Sequence, residues 1–312
     1  MTLFFLIVVV SYFILAIVNI GDKFILGNVI PNSKSYTFFV GVFGALVFLI
    51  APWYLEWPGV NLFLIDILVG AMFPIALLLM YRSLKVGDTS RMITLIGGLI
   101  PVFTIIFSIL LFHEQFTGLK WIGLGFSLLG TVIISRIPDK KTMWHKFSIW
   151  FGSTDDNKKR GIIEAILASL FYAIFFIGTK YAYSNQPFLS GFIWVRLGTL
   201  LLVLSFLLNS IDRKGVFVSL KGLFKNKGKY IFFGAQGLAA VGFLLQNYAI
   251  SLGSVAVINA LQGVQYAFLL IIGAIVTMLY PKGVKEDISK SVIIEKVVAI
   301  ILIGIGLFFI AR

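Results

Sequence analysis

Ten stretches of this chain are long and apolar enough to cross a membrane, and they constrain the fold more than anything else in the sequence. They run at about 2–26, 36–53, 61–81, 91–112, 118–136, 161–183, 188–209, 229–250, 255–280 and 292–311. A helical span needs roughly 20 mostly apolar residues to cross a hydrocarbon layer about 30 Å thick. Inside that layer no water satisfies backbone N–H and C=O groups, so such a segment has to bond its own backbone as a helix. Composition agrees: 59% of residues are hydrophobic and 12% charged, against about half and a quarter in a soluble domain. The expected fold is an all-α membrane protein of ten transmembrane helices.

The chain also looks duplicated. Ile20-Gly21-Asp22-Lys23-Phe24 is echoed 157 positions later by Ile177-Gly178-Thr179-Lys180-Tyr181, and the same shift lays Ala16-Ile17 on Ala173-Ile174. A shift of 166 lays Gly87, Leu95 and Gly97 on Gly253, Leu261 and Gly263. The expected organisation is a first repeat at residues 1–136, a basic linker at 137–160 and a second repeat at 161–312. Five helices per repeat is an odd number. The second copy then enters the membrane upside down, the inverted-repeat arrangement of many secondary transporters.

A net charge of +13 in a soluble protein would point to nucleic acid. Here the lysines lie between apolar segments, so membrane orientation accounts for them and no nucleic-acid partner is expected. The connection between spans 5 and 6 holds Lys140, Lys141, Lys146, Lys158, Lys159 and Arg160, and that between spans 7 and 8 holds Arg213, Lys214, Lys221, Lys225, Lys227 and Lys229. The positive-inside rule makes that side cytoplasmic in a cell membrane and puts both termini outside. Residues 2–20 read as a retained membrane helix, with no basic n-region before them. There is no cysteine, and His113 and His145 lack metal-ligand spacing, so no thiolate or other metal site is expected. No catalytic motif is present, which argues against an enzyme, and no cofactor is expected.

Polar side chains inside spans are costly and mark function by default. Arg196 lies about 12 Å into its helix at 1.5 Å per residue and cannot lose its proton. It reads either as a cavity cation or as a structural partner of a carboxylate such as Asp66. Lys23 and Lys180 lie near span ends, where they either snorkel to the interface or serve the two mouths of one pathway. Asp66, about five residues into its span, reads as a shallow hydrated carboxylate or as a possible proton site. Asp22, beside Lys23, reads as paired with a charge elsewhere or as solvated. A polar series follows: Gln236, Gln246, Asn247, Asn259, Gln262, Gln265 and Tyr266. Asn259, Gln262 and Gln265 are spaced by three and share a helical face. They read as interhelical glue or as a neutral hydrogen-bonding cavity wall, with Tyr12 and Asn19 as the facing wall.

Four stretches in order resemble the drug/metabolite transporter superfamily, and within it the EamA-type ten-helix transporters. They are Tyr81 to Val86 with Gly87 leading into Gly97–Pro101; Phe112-His113-Glu114 with Trp121-Ile122-Gly123 and Leu129-Gly130; Ile193-Trp194-Val195-Arg196-Leu197-Gly198; and Tyr248-Ala249-Ile250 with Leu261-Gln262-Gly263-Val264. The chain departs from the pattern in three ways. Its second span carries no arginine, its second half has no short glutamate turn, and the family is usually drawn with both termini cytoplasmic. The resemblance implies an exporter or permease of a small organic metabolite. With the duplication it implies alternating access between the repeats, for which a monomer is adequate and a dimer possible. A flippase or an accessory subunit for a lipid-linked substrate is the alternative.

Overall fold

The computed structural model of the protein describes residues 2–86, 89–115, 117–134, 156–225, 228–279 and 290–311. These residues contain helices and no strand. In chain order they form α1 (Thr2–Asn28), α2 (Ser33–Gly44), α3 (Ala51–Tyr54), α4 (Val60–Val86), α5 (Thr89–Phe112), α6 (Gly118–Ile134) and α7 (Asp156–Asn185). Then come α8 (Phe188–Ser205), α9 (Ser210–Lys225), α10 (Lys229–Leu252), α11 (Val255–Ala260), α12 (Gln262–Leu279) and α13 (Lys290–Ala311). A 3₁₀ stretch, Ala45–Ile50, joins α2 to α3.

Each of the ten expected segments is helical. Seven helices meet length and hydropathy requirements for a span, or eight if the bent pair α9–α10 is one crossing. The chain is thus an all-α membrane protein. Helix α6, at 17 residues, falls just short of the usual length. Two expectations need correction. The lysine-rich connection before residue 229 is not a loop, because Ser210–Lys225 is helical. Helix α7 starts at Asp156, inside the expected linker, whose residues 137–155 lie outside the described residues.

Outward positions such as Leu68, Leu110 and Ile122 are large and exposed, as an apolar solvent allows and water does not. Helices α4 and α7 pack along one another, as do α1 and α10, and α6 and α13. Among the described glycines, the tightest approach is between α4 and α8. A Cβ on Gly70 would fall on the Val195 carbonyl oxygen, and one on Gly198 would lie 2.8 Å from Ile67 Cα. Thr199 Oγ1 donates to the Gly70 carbonyl at 2.8 Å across this seam. Small residues let membrane helices approach to backbone contact, and polar groups then bond across.

Hydrogen bonds between helix ends define the two ends of the bundle. At the lysine-rich end, Lys34 Nζ meets Asp212 at 2.5 Å, and the Tyr36 hydroxyl donates to Asp22. Asp22 therefore has a neutral hydroxyl partner at the start of α2, a third outcome beside the charge pair and the solvated carboxylate. At the opposite end, Ser190 Oγ and Trp194 Nε1 donate to the Glu56 carbonyl at 3.0 and 2.8 Å. Ser254, the N-cap of α11, donates to Glu114 at 2.5 Å.

Candidate functional site

Arg196 sits midway along α8 and is only 7% exposed. Its guanidinium lies over the Phe243 ring at 4.0 Å, with Phe192 at 5.3 Å and Phe73 at 5.6 Å. These rings come from α10, α8 and α4, so three helices converge on one cation. Gly44 leaves room for it, since a Cβ there would lie 3.0 Å from Nη1. Aromatic faces attract a desolvated cation by about 2 kcal/mol, but they accept none of its N–H bonds. Among the described residues no carboxylate forms an ion pair with it.

Asp66 is not that partner. It is 0% exposed, so it is not a hydrated carboxylate, and its hydrogen-bonding partner, Gln186, stands in the turn between α7 and α8. Its Oδ2 accepts a bond from Gln186 Nε2 at 2.7 Å, while Oδ1 and Gln186 Oε1 have no hydrogen-bond partner among the described residues. Tyr183 is within electrostatic reach of both Asp66 and Arg196. Its hydroxyl donates to Asn247 Oδ1 at 2.8 Å, and Asn247 Nδ2 donates back to the Phe243 carbonyl at 2.8 Å. The site is therefore one cation in an aromatic box, with a neutral polar chain running from it toward a buried carboxylate.

A second polar group surrounds the break between α11 and α12. Val255, Val257 and Ile258 are β-branched, Asn259 is a poor helix former, and Gly263 follows, so the helix is weak at this point. It interrupts at Leu261. Tyr12, at 0% exposure, donates from α1 to the Ile258 carbonyl at 2.6 Å. Asn259 is 1% exposed, and neither amide atom has a partner among the described residues; Gln262 Oε1 is likewise unpartnered. A buried amide without bonds is costly, and interrupted membrane helices with free polar groups are a recurring feature of transporter sites. Tyr12→Phe is expected to destabilise the folded protein by about 0.5–1.5 kcal/mol, because it removes one buried hydrogen bond from a carbonyl that keeps its bond from the Leu261 N–H at 3.1 Å. Thermal unfolding in detergent, with wild type alongside, measures this.

The other expected residues fall as follows. Gln246 and Gln265 are buried, Asn19 is half-buried, and Gln236 lies within hydrogen-bonding reach of Tyr36 at the lysine-rich end. Lys180 is apart from Arg196, where its Nζ donates to the Ser251 carbonyl at 3.2 Å in the last turn of α10. A cation there caps a free carbonyl and complements the helix dipole. The side chains of Lys23 and Tyr266 lie outside the described residues. An apolar groove of about 310 Å³ lies between α4, α5 and α7, lined by residues including Ile65, Phe112, Ile174 and Tyr181. It carries no charged residue and is not the Arg196 site.

Residues 2–136 match the model of the EamA-like transporter family. No curated protein matches the chain. Among solved structures 24 chains match. One, described only as the crystal structure of a protein, covers 100% of this chain and 97% of its own, with a TM-score of 0.64 and 14% identity. At that identity the likeness is one of fold. The chain is thus a multi-pass membrane protein whose residues 2–136 are similar to the EamA-like transporter family.

Proposed function

We propose that the protein is a secondary transporter that carries a small anionic organic metabolite by alternating access, with Arg196 binding the substrate's carboxylate or phosphate. The carrying observation is a buried guanidinium held by three phenylalanine rings with no carboxylate paired to it. An ion held in low dielectric without a counter-ion costs several kcal/mol, and a transporter recovers that cost when an anion arrives. Charge-assisted, bidentate bonds from arginine to carboxylate or phosphate are among the strongest polar contacts. The side chains of Tyr183, Asn247 and Gln186 and the open amide of Asn259 supply neutral groups for the rest of the substrate. Asp66 is the candidate proton site.

Unequal packing of matched helices supports the alternation. On the repeat reading, α1 corresponds to α7, α2 to α8 and α4 to α10. Helices α4 and α7 pack closely, as do their counterparts α10 and α1. Helices α4 and α8 also pack closely, backbone to backbone, whereas their counterparts α10 and α2 meet through side chains, Phe232 against Tyr36, Phe39 and Phe43. Gly41 stands 157 positions before Gly198, the offset of the duplicated motif, yet Gly234 and Gly237 of α10 have nothing within 4 Å of where a Cβ would be. Exchanging the roles of the two halves would close the α2–α10 seam and open the α4–α8 seam.

The test is uptake by the purified protein in proteoliposomes, preceded by a thermal-shift screen against separate anionic, cationic and neutral panels. A ligand that binds the folded state raises the melting temperature by mass action. Stabilisation by the anionic panel alone is expected. Stabilisation by neutral or cationic compounds only would sink the anion reading. Transport by the protein alone argues against the accessory-subunit alternative, and the uncharged groove offers a lipid-linked phosphate no cation.

A further inference from the structure

We propose that α9 lies in the headgroup layer at the lysine-rich end of the bundle and binds anionic phospholipid there. Ser210–Lys225 follows the end of α8 and turns 109° into α10. A helix at that angle to a membrane-crossing neighbour runs along the membrane plane. Its 16 residues give about 24 Å of length at 1.5 Å per residue.

The inner face is fixed to the protein. Val216 is 4% and Leu223 1% exposed. Asp212 pairs with Lys34 of α2, and Gly215 lets the helix settle close to Asn32 and Ser35. The outer face combines two properties that water would not accommodate together. Ile211 is 79% exposed, Val218 71%, Phe224 55% and Phe217 54%. Between and beside them are the exposed Arg213, Lys214, Lys221 and Lys225. At 3.6 residues per turn these eight share roughly 160° of the surface. In cytosol four large apolar side chains would stand free, whereas in the headgroup layer they reach acyl chains while the lysine stems extend to phosphates. The sole acid of the helix is Asp212, already engaged by Lys34, so four cations remain for the lipid surface. Basic residues near an anionic leaflet each contribute attraction that decays within a Debye length. The charge complementarity selects anionic over zwitterionic phospholipid.

The cysteine-free sequence makes the test direct. Val218→Cys in the full chain is labelled with an environment-sensitive fluorophore. The protein is then placed in nanodiscs of phosphatidylcholine, or of phosphatidylcholine with phosphatidylglycerol. Phosphatidylglycerol is expected to blue-shift emission and protect the label from iodide, and high salt reverses both. With Lys214→Gln, Lys221→Gln and Lys225→Gln combined, the same response is expected to need about tenfold more phosphatidylglycerol, at an unchanged melting temperature. Equal emission in both lipids overturns the proposal. So does a phosphatidylglycerol response that the triple substitution leaves intact. Inorganic phosphate added to phosphatidylcholine discs is expected to do nothing, and a shift there would mean a free-anion site instead. The readout does not depend on Arg196 or on transport.

Discussion

Arg196→Met is expected to leave the protein at least as stable as wild type while removing its response to anionic ligands. The two halves of that result come from different energies. Methionine has a similar length and keeps contact with Phe243, Phe192 and Phe73, whose rings lie 4.0–5.6 Å from the guanidinium carbon. The substitution gives up about 2 kcal/mol of cation–π attraction. It also removes a buried, unpaired ion, whose insertion at the centre of a membrane helix costs about 2.5–3.5 kcal/mol on the most lenient scale. The second number is the larger, so stability is held or rises. Binding goes the other way. A hydrogen bond to a charged group is worth about 1.5–3 kcal/mol, so affinity for an anionic substrate is expected to fall by roughly 10- to 150-fold. Melting temperature and ligand-induced shift, read on the same samples, check both parts. A variant that unfolds several degrees lower yet keeps its anion response would make Arg196 a structural clamp. Arg196→Lys is a useful companion, since it keeps the charge but lacks the planar fork, and is expected to recover only part of the binding.

Much of the bundle was legible from sequence because apolar length is a one-dimensional signal. All ten segments from 2–26 to 292–311 are helical, within a few residues at their ends. Helix α9 was not legible in this way. Its lysines read as loop charge, and its apolar residues are too few and too spaced for a span. Only a helical projection separates Val216 and Leu223 from the outer face. The site divides along the same line. Arg196 stands out because charge in a span is rare. Its box of phenylalanines does not, because the chain has 31 of them and nothing local distinguishes Phe243 from the rest. Gln186, between Asn185 and Pro187, sits in a polar turn like several others in the chain, yet it bonds Asp66, a pairing 120 positions apart that no local pattern carries. Tyr12 and Asn259 were placed on facing walls from spacing. The structure joins their helices through the Ile258 carbonyl, a backbone atom that side-chain spacing cannot reveal.

Gly70→Ala and Gly198→Ala are each expected to destabilise the protein, by about 1–3 kcal/mol or more, whereas Gly237→Ala is expected to leave its stability close to unchanged. The first two glycines face backbone: Gly70 meets the Val195 carbonyl, and Gly198 meets the Ile67 main chain, with Cα 2.8 Å from a built Cβ. Backbone in a packed helix cannot rotate aside as a side chain does, so the added methyl forces α4 and α8 apart. Overpacking of that kind costs about 1–3 kcal/mol. Separation also stretches the 2.8 Å bond from Thr199 to the Gly70 carbonyl and moves Arg196, two residues before Gly198, off its rings. Gly237 differs, since nothing lies within 4 Å of a Cβ there. A larger side chain at that position separates stability from turnover. If α10 closes onto α2 in the second half of the transport cycle, Gly237→Leu is expected to keep the melting temperature and slow transport at least tenfold, equivalent to about 1.4 kcal/mol on the closing step. The same bulk at Gly70 lowers both. Normal transport by Gly237→Leu would mean that the α2–α10 seam never closes at this glycine, and the exchange of seams would have to be abandoned.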